Sequence, residues 1–227
     1  MSPYKTKESV NNYGSLRRKL VVCESLHQWS KKKEKISFPF DQTKIPKNGI
    51  YLLFEKGETA HNTDRIVRIG THTGNDQLPS RLQQHFLNPS KDRSIFRKNI
   101  GRAMLNKRND PYRAQWELDM TTKSAKKKYA QVINKEKQNQ IEQEISHYIQ
   151  KNFSFTVIPV QEKNDRLALE SKIISTVSNC NTCKQSKSWL GNYSPKEKIK
   201  QSGLWQVNEL YKIPLTSAEL VLLEKTM

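Results

Sequence analysis

Apolar residues recur along this chain at two spacings, and the spacing predicts the elements. Leu16, Leu20, Cys23 and Leu26 fall at helical intervals behind Ser15, a candidate N-cap, so residues 15–29 predict a helix. Residues 30–48 read as irregular and basic, punctuated by Pro39 and Pro46. Ile50 to Phe54 is a continuous apolar run between Gly49 and Gly57, and Asp64 to Thr71 follows across a polar connection from Glu58 to Thr63. These predict two antiparallel strands. Leu78 to Phe86 predicts a helix with Leu82 and Phe86 on one face and Arg81 and His85 beside it. A second helix is predicted over Ile95 to Leu105, with Phe96, Ile100 and Ala103 inward and Arg97, Lys98 and Arg102 outward.

Residues 106–135 lack a period and read as loops or short elements. Gln138 to Lys151 carries an apolar stripe of Ile141, Ile145, Tyr148 and Ile149, a helix. Phe153 to Val160 alternates, with Phe153, Phe155 and Val157 opposed to Ser154 and Thr156, a third strand. Asp165 is placed to cap a helix that runs to about Asn179. Ser194 and Glu197 have capping-box spacing around Pro195, with Gly203 as the stop, and Thr216 and Glu219 repeat that spacing before Leu220 to Leu223. The pattern is α/β: a small antiparallel sheet of about three strands flanked by helices.

One charged residue breaks the pattern. In the helix containing Arg166 to Val177, the neighbours of Glu170 at helical offsets are Leu167, Ile173, Ile174 and Val177, so Glu170 points along the apolar face. An unpaired buried carboxylate is costly, and it should find a cation or strong donors. A core arginine such as Arg81 and a bound metal ion are both open at this point.

Composition narrows the class. The 227 residues include 40 Lys and Arg against 22 Asp and Glu, a net charge of +18 with a pI near 9.8. The apolar fraction of 34% suffices for one core, and no run approaches the roughly 20 apolar residues of a membrane span. No secretory leader is evident, and three cysteines make no disulfide framework, so the expected location is cytoplasmic. The excess charge is uneven: +7 over residues 1–47, zero over 48–85, +8 over 86–152 and +3 over 153–227. Two basic flanks around a neutral core suggest a phosphate-tracking surface.

Gly49-Ile50-Tyr51, then Arg68-Ile69-Gly70, Arg81 and His85 on the next helix and Glu170 on a later one occur in an order that resembles the GIY-YIG nuclease family. Asn192, in Trp189-Leu190-Gly191-Asn192-Tyr193, falls where that family carries a late Asn. The resemblance covers residues 47–86 and 153–193. It departs from the family at Arg68, which stands where the second tripeptide has its Tyr, and in the long spacing from Arg81 to Glu170, which reads as an insertion. The implied organisation is a basic helical extension at 1–46, a catalytic core at 47–193 with a basic helical insertion at about 87–152, and a helical segment at 194–227.

The resemblance implies a metal-dependent DNA endonuclease of the site-specific, restriction type. A degenerate, purely DNA-binding core and a structure-specific nickase are the competing readings. It implies Mg²⁺, with Mn²⁺ as a substitute, held by Glu170. Arg81 would meet the charge on the phosphoryl oxygens, and Tyr51, with Arg68 beside it, would take a proton from the attacking water. His85 and His72 would hydrogen-bond at the phosphate or water, and Asn192 would tie its loop to the site. The expected partner is double-stranded DNA, with a homodimer as the candidate assembly and no membrane. Cys180-Asn181-Thr182-Cys183 is a single Cys-x-x-Cys. As a zinc knuckle it needs Cys23 or a distant His to complete four ligands; otherwise these are buried free thiols. A redox pair is disfavoured because the motif follows a helix.

Overall fold

Strand pairing follows the apolar runs. The computed structural model describes residues 21–225. β1 (Ile36–Ser37), β2 (Gly49–Ala60), β3 (Thr63–Gly70) and β4 (Phe153–Pro159) form one antiparallel sheet in the order β1-β4-β2-β3. The sheet has four strands where about three were expected. The added strand is β1, two residues inside the stretch read as irregular, with Ile36 opposite Phe155. A two-residue edge strand is too short to show alternation.

The hairpin is longer than its apolar run. β2 continues through Ala60, and the turn is His61-Asn62, both left-handed at φ 52° and 58°. Two consecutive positive φ values are the signature of a type I′ turn, whose twist suits a tight hairpin. Register shifts at Leu53/Phe54 and Phe54/Thr59 bend β2 on the way.

Both faces of the sheet are covered. Tyr51, Leu53, Val67 and Phe155 pack on α2 (Leu78–Phe86), α3 (Ile95–Lys107) and α6 (Lys135–Asn152). Ile50, Leu52, Ile66, Ile69 and Ile158 pack on α1 (residues 21–31 as described), α7 (Lys163–Ser178) and α9 (Ser217–Lys225). Ser15, Leu16 and Leu20 of the expected first helix lie outside the described residues. The basic stretch holds two short helices, α4 (Arg113–Glu117) and α5 (Lys123–Tyr129). No helix among the described residues is long and apolar enough to cross a membrane.

Three local expectations fail for physical reasons. Arg97 does not point outward; it is fully buried, its Nε and Nη2 donating to Glu142 Oε2 at 3.1 and 2.8 Å. Its charge is matched by an acid on the inner stripe of α6, a partner 45 residues away that no local period reveals. Asp165 sits inside the first turn of α7, with Glu162 at the cap position. Ser194 ends a turn and accepts from Lys196 N at 3.1 Å, so α8 (Glu197–Ser202) begins without a side-chain cap. The other box is made as expected: Thr216 N donates to Glu219 Oε2 and Glu219 N to Thr216 Oγ1.

Candidate active site

The site gathers where the hairpin, α2, α3 and α7 meet. Tyr51 is central on β2 and fully buried, opposite Gly70 on β3. A Cβ on Gly70 would lie 2.2 Å from the Tyr51 hydroxyl, so only glycine leaves the phenol its place. That hydroxyl meets His85 Nε2 at 2.8 Å, and His85 Nδ1 meets Ser94 Oγ at 2.7 Å. Ser94 also caps α3, accepting from Arg97 N. Tyr51, His85 and Ser94 therefore form a continuous buried chain of hydrogen bonds. Burial holds the His85 imidazole well below the usual histidine range, and the charges of Arg81, Arg68 and Arg97 push the same way. His85 is neutral, able to accept at one nitrogen while donating at the other.

Arg68 is buried opposite Leu53. Its Nη1 donates to Trp205 O at 2.6 Å, and its guanidinium lies 5.3 Å from the Phe96 ring centre. Trp205 is itself fixed by donating from its indole to the buried carboxylate of Glu55 at 2.8 Å and from its backbone N–H to Val67 O. The Arg68 Nε is buried and has no partner among the described residues. Neither has Nδ2 of Asn99, a buried residue of α3. Both residues line a cleft of about 440 Å³ shared with Glu170, Gln206, Asn208 and Glu209. Two unmatched donors in a cleft wall are unusual unless a ligand completes them.

Glu170 reaches this cleft from α7, and the expectation that it leaves the solvated face holds. It forms no ion pair with Arg81; its Oε1 accepts from Thr71 N at 3.0 Å, and Oε2 makes no hydrogen bond among the described residues. Burial pushes its carboxyl up, opposed by the positive charge of Arg68, the Thr71 N–H and the charge of Arg81. Its free oxygen, and Arg68 rather than a second acid as its strongest charged neighbour, suit a hydrated divalent cation needing few protein ligands.

Thr71, whose N–H holds Glu170, lines a second cleft of about 360 Å³ with His72, Ser80 and Arg81. Arg81 donates to Gln84 Oε1 and Arg93 O. His72 is committed to the backbone: its Nδ1 meets Gly74 O at 2.7 Å and its Nε2 accepts from Gly49 N.

Arg68 and Glu170 thus line the first cleft and Arg81 the second, while Tyr51 and His85 are fully buried and line neither. Asn192 does not join them. Its amide donates to Ser186 O and Lys187 O at 2.9 and 3.1 Å, closing its own loop. The sequence reading missed Ser94, Thr71, Asn99 and Gln206. Asn99 carried a signal, a polar residue three past Phe96 on the inward stripe of its helix, the same anomaly that marked Glu170. Gln206, whose Oε1 accepts from Ile69 N, sits in an aperiodic loop and carried none.

No curated protein and no solved structure gives a significant match to the chain. The family model of the GIY-YIG domain matches residues 12–227, nearly the whole sequence, with both tripeptides, α2 and α7 inside the match. The chain is therefore a member of the GIY-YIG family.

Proposed function

We propose that this protein is a divalent-metal-dependent DNA endonuclease, of the site-specific restriction type, working at the paired clefts. The nuclease activity is that of its family. The observation that carries the reading is the cleft wall, where the unpartnered donors of Arg68 and Asn99 stand beside the half-committed carboxylate of Glu170. Donors of this kind suit phosphoryl oxygens, and the carboxylate suits a cation.

Glu170 would hold Mg²⁺ or Mn²⁺ by Oε2, with Oε1 kept in place by Thr71 N–H. The bound ion would stabilise the leaving oxygen. Arg68, fixed by the Trp205 carbonyl, and Arg81 would offset charge growing on the phosphoryl group. Tyr51 would take a proton from water as its own hydroxyl proton passes to His85 Nε2, with Ser94 holding His85 in position. Because Arg68 lies opposite Leu53 and is directed at Trp205 O, its role here is that of a phosphate contact in the wall.

The test is incubation of the purified chain with plasmid DNA and Mg²⁺. Discrete linear fragments are expected from wild type and none from Glu170→Gln, which should bind DNA as well or better after losing a charge that repels phosphate. Relaxed circles would replace the restriction reading with a nickase. Cleavage by Glu170→Gln in Mg²⁺ would remove Glu170 from the site.

A further inference from the structure

On the other face of the sheet, five soft or borderline ligand groups converge from three segments distant in sequence. Cys23 and His27 lie on α1, His61 is the first residue of the β2–β3 turn, and Cys180 and Cys183 follow α7. One donor atom each from Cys23, His27, His61 and Cys183 lie within 4.8 Å of one another. Cys180 Sγ is 3.5 Å from His61 Nε2. All three cysteines are free thiols and buried among the apolar side chains of the second core.

The two histidines differ in their commitments. His27 has both ring nitrogens engaged by backbone: Nδ1 is 2.8 Å from Cys23 O, and Nε2 accepts from Ile66 N at 3.3 Å. Those commitments leave it only long contacts with the thiols, Cys23 Sγ at 3.6 Å from Nδ1 and Cys183 Sγ at 3.5 Å from Nε2. His61 Nε2 meets Cys180 Sγ and no backbone group among the described residues. Three sulfurs and one imidazole nitrogen match the donor set of a closed tetrahedral zinc site, and a Cys-x-x-Cys supplies two of the four at knuckle spacing.

We propose that Cys23, His61, Cys180 and Cys183 bind one structural zinc ion, with His27 as a positioning residue that orients Cys183. The ion fastens the hairpin tip to α1 and to the loop after α7. The site is separate from the nuclease clefts, since none of its residues lines either one.

Elemental analysis of the full chain, purified without a metal-affinity tag, should give one zinc per chain. Cobalt added to the metal-stripped, reduced protein should produce the intense sulfur-to-metal charge-transfer band and visible bands of a tetrahedral thiolate site. Cys180→Ser and Cys183→Ser should hold less than a tenth of that metal. His61→Cys, which keeps four ligands, should retain it even where a serine variant fails to fold. His27→Ala should keep one ion per chain at about 10- to 100-fold weaker affinity, as loss of an outer partner does. Glu170→Gln should keep its zinc in full, so loss of cleavage and loss of zinc are separable. A folded, reduced wild type that takes up neither zinc nor cobalt would overturn the proposal, as would a mass two hydrogens light from a disulfide. Loss of the ion in His27→Ala with retention in His61→Ala would overturn the ligand assignment.

Discussion

At the scale of single residues, the site is governed by two groups that burial moves in opposite directions. His85 is held well below its ordinary value, so it is neutral at neutral pH. Glu170 is raised above its ordinary 4.5. The activity profile should therefore fall on the acid side as protons compete with the cation for Glu170, and should show no inflection near 6.5 from His85. A clear histidine inflection in single-turnover rates would contradict the buried relay. The same shift fixes a stability effect by linkage. Where the folded carboxyl titrates above the unfolded one, the folded state binds the extra proton, and stability declines as pH rises through that interval. At neutral pH in chelator, ionised Glu170 is a net cost. Glu170→Gln keeps an acceptor for Thr71 N–H and removes the charge, so it should melt higher than wild type at pH 7 and equally at pH 4. A lower melting temperature at pH 7 would mean that Arg68 and Arg81 outweigh burial.

At the scale of elements, the basic insertion is fastened to the site by a pair invisible to periodicity. Arg97 on α3 donates to Glu142 on α6, to Ser146 Oγ and to the His85 carbonyl at 3.1 Å. Removing one partner of a buried pair strands the other charge, so Arg97→Ala should cost about 3–5 kcal/mol in chemical denaturation. Replacing both, as Arg97→Met with Glu142→Leu, should recover much of that loss. Equal losses in single and double variants would show that the hydrogen bonds to His85 and Ser146, rather than the charge, carry the energy. This pair also marks what the sequence could convey. Helices with a clean stripe, such as α2 and α6, and the Thr216–Glu219 box are legible because their determinants lie within one turn. Glu170 was legible as an anomaly on its stripe. Arg97 was not, because its partner comes from another element, and β1 was not, because two residues carry no period. Asn192 was misplaced because a loop residue's neighbours depend on the whole path of the chain, here one that turns its amide back on Ser186.

At the scale of the whole molecule, the +18 charge is sorted by what the acids are doing. Within residues 86–152, five of the seven acidic residues are engaged in ion pairs: Asp92, Asp110, Glu117, Glu142 and Glu144. They neutralise bases that stitch α3, α4 and α6 together, and the +8 excess remains on the rest. Lys126, Lys127 and Lys128 on α5 are exposed, and among the described residues their side chains form no ion pair, with Lys128 lying over the Tyr129 ring. Such a run is positioned for phosphate, whose neutralisation releases counterions and gives a slope of about −0.9 in log K against log salt for each contact on duplex DNA. Alanine at all three positions should shallow the slope by up to about 2.7 if every lysine meets a phosphate. Folding should be untouched, because these side chains bury nothing. Binding measured between 50 and 200 mM salt, on the order used for such slopes, separates the outcomes. An unchanged slope would return α5 to an ordinary solvated helix and move the DNA path to the +7 N-terminal segment. A shallower slope with unchanged cleavage at low salt would place α5 on the flank of the DNA, holding the duplex while the clefts act on it.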